Sequence, residues 1–326
     1  ETKADLAYFD PPYATEFSTT NYERAYHFVE GLMTYWEGLK IVGDSKTKFF
    51  ESDHETVTKG NAKAFFERVL AGAKHLPHWL ISYRDHAYPN EEEMKGIIGE
   101  LGRETTLKST DHQYLISGQN NEASKAKEYL FICSRKGAEA KAALTDTDHE
   151  DSLDERRIGE NLAALADAPL GDAVDLLSCV AADADSEPVR VTGYLGSKFV
   201  LLGWMEKLFP KDAKSVLDAF SGGANVAYHL KRKGLKVYAN DLLRFPYHLA
   251  RAVIENSTEK LTDEEIDRIL APNPDAGSLI EQTFHGYYYT KPVLRWLDPG
   301  WANIQRLPGY KKDLALAALG TTVKAK

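Results

Sequence analysis

The stretch Ala4–Tyr13, with the sequence ADLAYFDPPY, decides how the rest of the chain is interpreted. A short apolar run that stops at two prolines predicts a buried strand. The polar stop would then lie at the carboxyl end of that strand, which is the edge where open α/β sheets bind their ligands. The sequence therefore predicts a ligand site directly after Phe9.

Each residue of this stop has a chemical use. Asp10 supplies a carboxylate acceptor, while Pro11 and Pro12 remove two N–H donors and leave outward-pointing carbonyl acceptors. Tyr13 adds an aromatic ring beside them. Two acceptors and a ring suit the exocyclic amine of a nucleobase, stacked on the ring while its N–H groups are held. The structural alternative is a strand that ends in a proline-rich turn with a surface tyrosine.

A second group of motifs predicts a nucleoside cofactor. The strand Val216–Asp218 leads into the turn FSGG at 220–223, and the next strand ends at Asp241. A glycine turn lets the backbone approach a ligand at a helix N-terminus, and an acid after the next strand can bind both ribose hydroxyls. The turn departs from G-x-G-x-x-G, which counts against a nicotinamide dehydrogenase. Gly196-Ser197-Lys198 lacks the upstream glycine of a phosphate loop.

The two groups of motifs together resemble the Dam-like, D12-type amino-group DNA methyltransferases. Asp10-Pro11-Pro12-Tyr13 resembles their catalytic motif, in the Asp form typical of the adenine enzymes, and YLGSKF at 194–199 with SVLDAFSGG at 215–223 resembles their cofactor half. The resemblance implies a Rossmann-like methyltransferase fold: a mostly parallel seven-stranded sheet with an antiparallel hairpin at one edge, plus a small helical recognition region.

The same resemblance implies an activity. We expect S-adenosylmethionine-dependent methylation of adenine N6 in DNA, with base flipping, direct transfer and no metal. The alternatives are cytosine-N4 or RNA adenine methylation, and a non-catalytic nucleic-acid-binding subunit that keeps the fold. The catalytic residues implied are Asp10, Pro11, Pro12 and Tyr13. The cofactor-binding residues implied are Tyr194, Gly196, Ser197, Lys198, Asp218, Phe220, Ser221, Gly222, Gly223, Asp241 and Asp10. Asn225 and the Gly-Gly-Ala order depart slightly from the usual cofactor turn.

The order of the motifs predicts a circular permutation, natural or engineered, because the Dam-like enzymes have the cofactor half first. We expect residues 1–136 to form the catalytic half and 191–256 the cofactor half of one domain. Residues 137–190 would be an acidic linker or helical hairpin joining the halves, and 257–326 the target-recognition region. Such halves can be joined either way when the junction lies in a surface loop.

The charge pattern supports nucleic acid as the partner despite a net charge of −9. Residues 137–190 hold fourteen acidic and four basic side chains, so the remainder is close to neutral. The tail from 284 to 326 is basic, and its cations alternate with aromatic residues, as phosphate contact and base stacking require. A helical subdomain with a solvated basic face is the alternative. The predicted nucleic-acid contacts are Lys291, Arg295, Arg306, Lys311 and Lys312.

Bulk features set the remaining expectations. No apolar run is long enough to span a bilayer, and the two cysteines, Cys133 and Cys179, favour a reducing compartment without a zinc site. We expect a prokaryotic cytoplasmic, nucleoid-associated protein that acts on double-stranded DNA, with a restriction endonuclease or a second copy as further partner candidates. The chain starts at Glu1 just before a strand, so we expect an upstream N-terminus or a cut chain.

Overall fold

The computed structural model describes residues 2–16, 21–43, 47–52, 54–114, 124–136 and 188–324, and its centre is a six-stranded sheet. The strands are β1 Leu6–Phe9, β2 Ala14–Thr15, β3 His78–Arg84, β4 Ala87–Tyr88, β5 Arg103–Tyr114, β6 Ser124–Arg135, β7 Ser215–Asp218 and β8 Lys236–Ala239. In the large sheet the order is β5-β6-β3-β1-β7-β8, and β2 pairs separately with β4. Strands β3, β1, β7 and β8 are parallel, whereas β6 and β5 form an antiparallel edge.

Strand β1 lies in the middle of this sheet, and both of its faces are covered. Leu6 and Tyr8 contribute to one apolar cluster, while Ala7 and Phe9 contribute to another on the opposite face. A parallel strand covered on both faces needs an unbroken apolar run rather than an alternating one, which is the pattern the sequence shows. The predicted mixed α/β sheet of methyltransferase type is therefore confirmed. The described residues supply six strands to the large sheet, so the expected count of seven is not confirmed.

Helices cover the sheet on both sides. They are α1 Tyr22–Ala25, α2 His27–Thr34, α3 Ala62–Gly72, α4 Glu91–Glu100, α5 Leu202–Glu206, α6 Asn225–Arg232, α7 Arg244–Ala250, α8 Asp263–Leu270, α9 Leu279–Phe284, α10 Lys291–Ile304 and α11 Gly309–Lys324. A 3₁₀ turn at Phe199–Leu201 precedes α5, and a π-helical turn at Arg251–Glu255 continues α7. Asn90 with Glu93 and Thr262 with Glu265 have the sequence spacing that predicts a capping box, and both boxes are present.

Two local predictions need correction. The apolar spacing from Asn21 to about Leu39 predicts a single helix, whereas the structure has two shorter helices, and the second ends where Tyr35 and Trp36 take left-handed φ values of 54° and 56°. The sequence QYLIS at 113–117 predicts the first strand of the edge hairpin, but this strand begins earlier, at Arg103, because the alternating Thr-rich stretch before it pairs with β6 over twelve residues. Residues 115–123 lie outside the described residues.

The C-terminal region packs against the sheet domain. Helix α11 contacts α2 and α7, and its Leu314 and Leu316 belong to the same apolar cluster as Phe28 of α2 and Phe245 of α7. Residues 257–324 are thus joined to the sheet domain by a shared core, while their assignment to target recognition stays a prediction. Residues 137–187 of the predicted acidic linker lie outside the described residues.

Candidate active site

The two motif-bearing strands are direct neighbours. Strands β1 and β7 pair in parallel with Tyr8 opposite Asp218, and the Ala219 N–H donates to the Tyr8 carbonyl at 3.0 Å. Parallel strands that are paired in register end at the same edge of a sheet. The structure therefore brings the catalytic motif at 10–13 and the glycine turn at 220–223 to one place, although about two hundred residues separate them in the chain.

A buried ionic cluster surrounds Asp10. The Lys198 ammonium lies 2.7 Å from Asp10 Oδ1 and 3.7 Å from Glu128 Oε1, and its side chain is 2% exposed. The Tyr13 hydroxyl lies 3.1 Å from Asp10 Oδ1 and 2.9 Å from Glu128 Oε1. Among the described residues, the two donors within hydrogen-bond distance of the Asp10 carboxylate, Lys198 and the Tyr13 hydroxyl, both lie next to Oδ1. Oδ2 is consequently left as an acceptor for an incoming N–H group.

The charges of this cluster are strongly coupled. Burial raises the pKa of Asp10 to about 6, against the opposing attraction of Lys198. Burial also disfavours the Lys198 cation, but Asp10 and Glu128 outweigh it and hold the pKa of Lys198 above its ordinary value. At neutral pH the site therefore contains a charged lysine and an ionised Asp10 that is close to its titration range.

The glycine turn after β7 packs closely against Tyr194. Gly222 has a φ of +46°, and a Cβ atom at Gly223 would lie 2.7 Å from the Tyr194 Cβ. Asp241 fixes the turn from the next strand, because its carboxylate accepts the Gly222 N–H at 2.8 Å and the Leu243 N–H at 3.0 Å. Burial raises the pKa of Asp241. Backbone thus lines the turn where side chains would block it.

The segment around Tyr194 lies over this turn and is anchored from two sides. Asn225 accepts the Val191 N–H at 2.9 Å, and its amide donates to the Thr192 carbonyl at 2.9 Å and to Ser197 Oγ at 3.1 Å. From the catalytic half, Tyr26 stacks on Tyr194 with ring centroids 4.5 Å apart. Tyr22 lies parallel to Tyr194 on a centroid separation of 6.1 Å.

These elements enclose a cavity of about 720 Å³. All eleven residues predicted to bind the cofactor line it: Tyr194, Gly196, Ser197, Lys198, Asp218, Phe220, Ser221, Gly222, Gly223, Asp241 and Asp10. Pro12 also lines it, whereas Tyr13 stands beside it and is half-buried. Tyr22 also lies on the cavity wall.

The cavity fits a nucleoside that carries a cationic end. Among the described residues, Asp218 Oδ1 and Ser221 Oγ are buried without a hydrogen-bond partner, and both residues line the cavity. Burial, followed by the nearby Asp10 and Asp241, raises the pKa of Asp218 well above its ordinary value. Buried polar atoms without a hydrogen-bond partner destabilise a protein. A ligand with hydrogen-bond donors would give these two oxygens the partners that they lack. Within the described ranges, no group of three or more His, Cys, Asp or Glu is arranged to hold a metal ion.

The predicted nucleic-acid contacts are not gathered at the cavity, whose lining includes none of them. Lys311 pairs with Glu265 at 2.7 Å, and Arg295 pairs with Glu281 at 2.7 Å, with Lys291 3.9 Å from the same carboxylate. Arg306 is exposed and Lys312 half-buried, and neither forms an ion pair with another described residue. The basic tail is therefore partly neutralised inside its own subdomain.

Two residues of the site were missed from the sequence. Glu128 was interpreted only as the start of a hairpin strand, and Asn225 only as a departure from the usual cofactor turn. A charged residue at the head of the apolar run that follows in β6 was the available signal for Glu128. Nothing local signalled Asn225, because its partners lie more than twenty-five residues away in sequence.

The fold and the site together define a class: an α/β protein with a cavity at the carboxyl edge of a mostly parallel sheet, next to the Asp10 carboxylate. Residues 194–290 match the model of the D12 class N6 adenine-specific DNA methyltransferases. This match and the relatives described next confirm the resemblance that the motifs indicated. No helix in the described ranges has the length and apolarity to cross a membrane.

Three curated proteins resemble the chain. Type II methyltransferase M2.HphI of Haemophilus parahaemolyticus is 35% identical over 127 residues, 39% of this chain and 38% of the relative. Modification methylase StsI of Streptococcus sanguinis is 24% identical over 74% of this chain and 32% of the relative. Type II methyltransferase M.FokI of Planomicrobium okeanokoites is 25% identical over 80% of this chain and 35% of the relative. The chain thus spans about a third of the length of these relatives.

Proposed function

We propose that this protein methylates the N6 atom of adenine in DNA and takes the methyl group from S-adenosylmethionine. The observation that carries the proposal is that Asp10 and the turn at 220–223 line one cavity at the ends of two paired strands. The match of residues 194–290 to the adenine-specific family and the names of the relatives support the choice of reaction.

The cofactor would lie along the cavity from Asp241 to Asp10. Asp241 would accept hydrogen bonds from the ribose hydroxyls, and the backbone at 222–223 would lie against the nucleoside. Asp218 would face the amino end, where its unpaired oxygen can accept a hydrogen bond. When bound, the sulfonium group supplies an electrophilic methyl group. Tyr194 and Lys198 would cover the methionine end, since both line the cavity on the side of the anchored segment.

The target base would reach the site by leaving the duplex. The Tyr13 ring would stack on it, the Asp10 Oδ2 atom would accept one amine hydrogen, and the Pro11 carbonyl would accept the other. Holding both hydrogens leaves the nitrogen lone pair directed at the methyl group. The carboxylate also stabilises the positive charge that develops on the amine during transfer. Positioning and electrostatics then provide most of the catalysis, and no covalent intermediate on the protein is needed.

Lys198 keeps Asp10 in the form that the reaction requires. Its ammonium lies 2.7 Å from Oδ1, which favours the ionised carboxylate in a buried site. Without this charge, burial would favour the protonated acid, which has one acceptor fewer. The lysine therefore acts on Oδ1 while Oδ2 receives the substrate.

Contacts to the DNA backbone are proposed for Lys291, Arg295, Arg306, Lys311 and Lys312. Arg306 is the strongest candidate of the five, because it is exposed and forms no ion pair with the described residues. Lys311 and Arg295 would have to exchange their glutamate partners for phosphates, which lowers the free energy that each contact contributes to DNA binding. Replacing Arg306 by alanine should reduce the slope of log affinity for DNA against log salt concentration by about 1, because about one fewer counterion is released. Replacing Lys311 should reduce this slope by less.

The chain order would be a circular permutation of the Dam-like arrangement, with the cofactor half of residues 191–256 joined behind the catalytic half of residues 1–136. The in-register pairing of β1 with β7 supports one shared domain. If the acidic segment 137–190 only joins the halves, its replacement by a short Gly/Ser linker should leave methyl transfer intact. A restriction endonuclease or a second copy of the chain would be the protein partner. The protein would act in the cytoplasm of a prokaryote, near the nucleoid.

The test is transfer of tritiated methyl from S-adenosylmethionine to unmethylated DNA, with Asp10→Ala as the control. We expect label with the wild type and none above background with the variant; equal label in both would refute the assignment. Digestion of the product to nucleosides and mass analysis separates N6-methyladenine from N4-methylcytosine, and an RNA substrate run in parallel tests the remaining alternative. A non-catalytic subunit would show no cofactor binding by calorimetry.

A further inference from the structure

Glu128 is a buried acid that the reaction outlined above does not use. Its side chain has 0% exposure, although it lies at the head of an apolar stretch in β6, opposite Arg84 of β3 and Thr110 of β5. A buried carboxylate that only braced a strand would be expensive, because an apolar residue of similar size is commonly as stable or more stable there. Its position next to Asp10 calls for another account.

One carboxylate oxygen of Glu128 contacts groups that lie around Asp10. Its Oε1 atom receives hydrogen bonds from Ser82 Oγ at 2.5 Å and from the Tyr13 hydroxyl at 2.9 Å. The same oxygen lies 3.7 Å from the Lys198 ammonium. Glu128 thus reaches the site through two groups that also contact Asp10, while it does not reach the cavity itself.

The Tyr13 ring is fixed at its far end by this arrangement. Its hydroxyl carries one proton and stands between two carboxylates, at 2.9 Å from Glu128 and 3.1 Å from Asp10. The ring also meets Tyr83 edge-on, with centroids 5.2 Å apart and planes at 89°. A hydroxyl anchor and an edge contact together leave the ring little freedom to rotate. The Lys198 ammonium also lies over the ring, 5.0 Å from its centroid, and adds a third contact that fixes its orientation.

We propose that Glu128 is a positioning residue of the methyl-transfer site, which orients the Tyr13 ring toward the target base and shares the Lys198 charge with Asp10. This inference rests on the proposed function. It assigns a role to a strand at the antiparallel edge of the sheet, which otherwise lies outside both motif groups. Glu128 acts through Tyr13 and Lys198 and touches neither the base nor the methyl donor.

Two substitutions separate the effect of the Glu128 charge from the effect of its side-chain length. Glu128→Gln keeps the length and removes the charge, whereas Glu128→Asp keeps the charge and withdraws it from the Tyr13 hydroxyl. Each should lower the single-turnover rate of methyl transfer by about ten- to a hundredfold, because one or two charge-assisted hydrogen bonds that orient Tyr13 are lost. The KM for S-adenosylmethionine should stay within about twofold of the wild type, because uniform binding is unaffected. Glu206→Gln, which removes an acid paired with His229 and Lys233 outside the site, should leave both quantities unchanged.

A double-mutant cycle tests the route through Tyr13. If Glu128 acts by holding the hydroxyl, the variant Glu128→Gln with Tyr13→Phe should be about as slow as Tyr13→Phe alone. Full additivity of the two losses would overturn the positioning role. So would a wild-type rate for Glu128→Gln. Failure of both Glu128 variants to fold, judged by circular dichroism, would show a structural brace and would overturn the proposal as well.

The titration of Asp10 supplies a readout that a structural brace would not move. The groups that act on this carboxyl are Lys198, Glu128, Tyr13, Tyr8, Tyr22 and Asp218. Glu128→Gln should lower the pKa of Asp10, because it removes the nearest like charge and leaves Lys198 to Asp10 alone. Carboxyl NMR, with Asp10→Asn to assign the signal, measures the pKa of Asp10 without any substrate. An unchanged or raised pKa of Asp10 in Glu128→Gln would contradict the claim that Glu128 and Asp10 share the charge of Lys198. Absence of methyl transfer by the wild type would instead contradict the proposed function.

Discussion

Lys198→Met is the substitution whose effect follows most directly from the structure. The lysine is 2% exposed, and its ammonium is the positive charge between the Asp10 and Glu128 carboxylates. Methionine has a similar length and no charge. The variant therefore leaves two carboxylates close together in a buried site, with the Tyr13 hydroxyl between them.

The size of the effect can be worked from these distances. Two unit charges about 4 Å apart attract by about 4 kcal/mol at an effective dielectric constant of about 20. Breaking a buried pair by removing one partner costs roughly 3–5 kcal/mol. For a domain of this size, that loss corresponds to a melting temperature lower by on the order of 10 °C at pH 8.

The loss should depend on pH in a definite direction. Burial already raises the pKa of Asp10 to about 6 from an ordinary value of 3.8, and losing Lys198 raises it further. An acid with a raised pKa in the folded state binds its proton more tightly there, so folding becomes more favourable as the pH falls through that pKa. The difference between wild type and variant should thus be largest at pH 8 and clearly smaller at pH 5.

The assay is thermal unfolding of both proteins at several pH values, followed by circular dichroism. Lys40→Met is the matched control, because Lys40 and Glu51 form an exposed pair at 2.8 Å with 78% and 57% exposure. It should leave the melting temperature unchanged within error at every pH. A Lys198→Met protein as stable as the wild type, or a loss of equal size at pH 5 and pH 8, would refute the reasoning.

Three further predictions concern the cofactor and the acid. Asp241→Ala should weaken S-adenosylmethionine binding by about a hundredfold in calorimetry, since the ribose would lose two charge-assisted hydrogen bonds; wild-type affinity would contradict the ribose assignment. Gly223→Ala should destabilise the protein by about 1–3 kcal/mol in thermal unfolding, because its Cβ would lie 2.7 Å from the Tyr194 Cβ. The wild-type kcat/KM for methyl transfer should fall about tenfold per pH unit below about 6, as Asp10 becomes protonated.

The controls for these predictions come from the same chain. Gly203→Ala lies in α5, where an added Cβ meets nothing within 4 Å, so it should be neutral or slightly stabilising. If it destabilises as much as Gly223→Ala, the close approach of Tyr194 is not the cause. For the pH profile, a rate that is flat down to pH 4.5 would show that the acid form of Asp10 is active or that another step limits the rate.

The parts of the fold that depend on local sequence could be predicted well. Strand β1 and the strand leading to Asp218 are short apolar runs, and their burial follows from the run itself. The helices capped at Asn90 and Thr262 begin where the capping residues predict, because both partners of a capping box lie within one turn. The extent of β5 was wrong because its pairing with β6, rather than its own composition, decides where it begins.

The parts of the site that depend on distant partners could not be predicted in the same way. Glu128 meets Tyr13 across 115 positions of sequence, and only the register of β6 against β3 brings them together. Lys198 was expected at the methionine end of the cofactor, but its bond to Asp10 spans 188 positions. The charge of the C-terminal tail was counted correctly, yet a count cannot show that Lys311 already pairs with Glu265.

The central claim is that one crevice holds the methyl donor against the catalytic carboxylate. A crystal structure of the protein with sinefungin, an unreactive analogue of S-adenosylmethionine, tests it most directly. The account predicts density that runs from the Asp241 carboxylate over the glycine turn, with the amine that replaces the methyl group facing Asp10. Density in another place, or an analogue whose amine points away from Asp10, would contradict it.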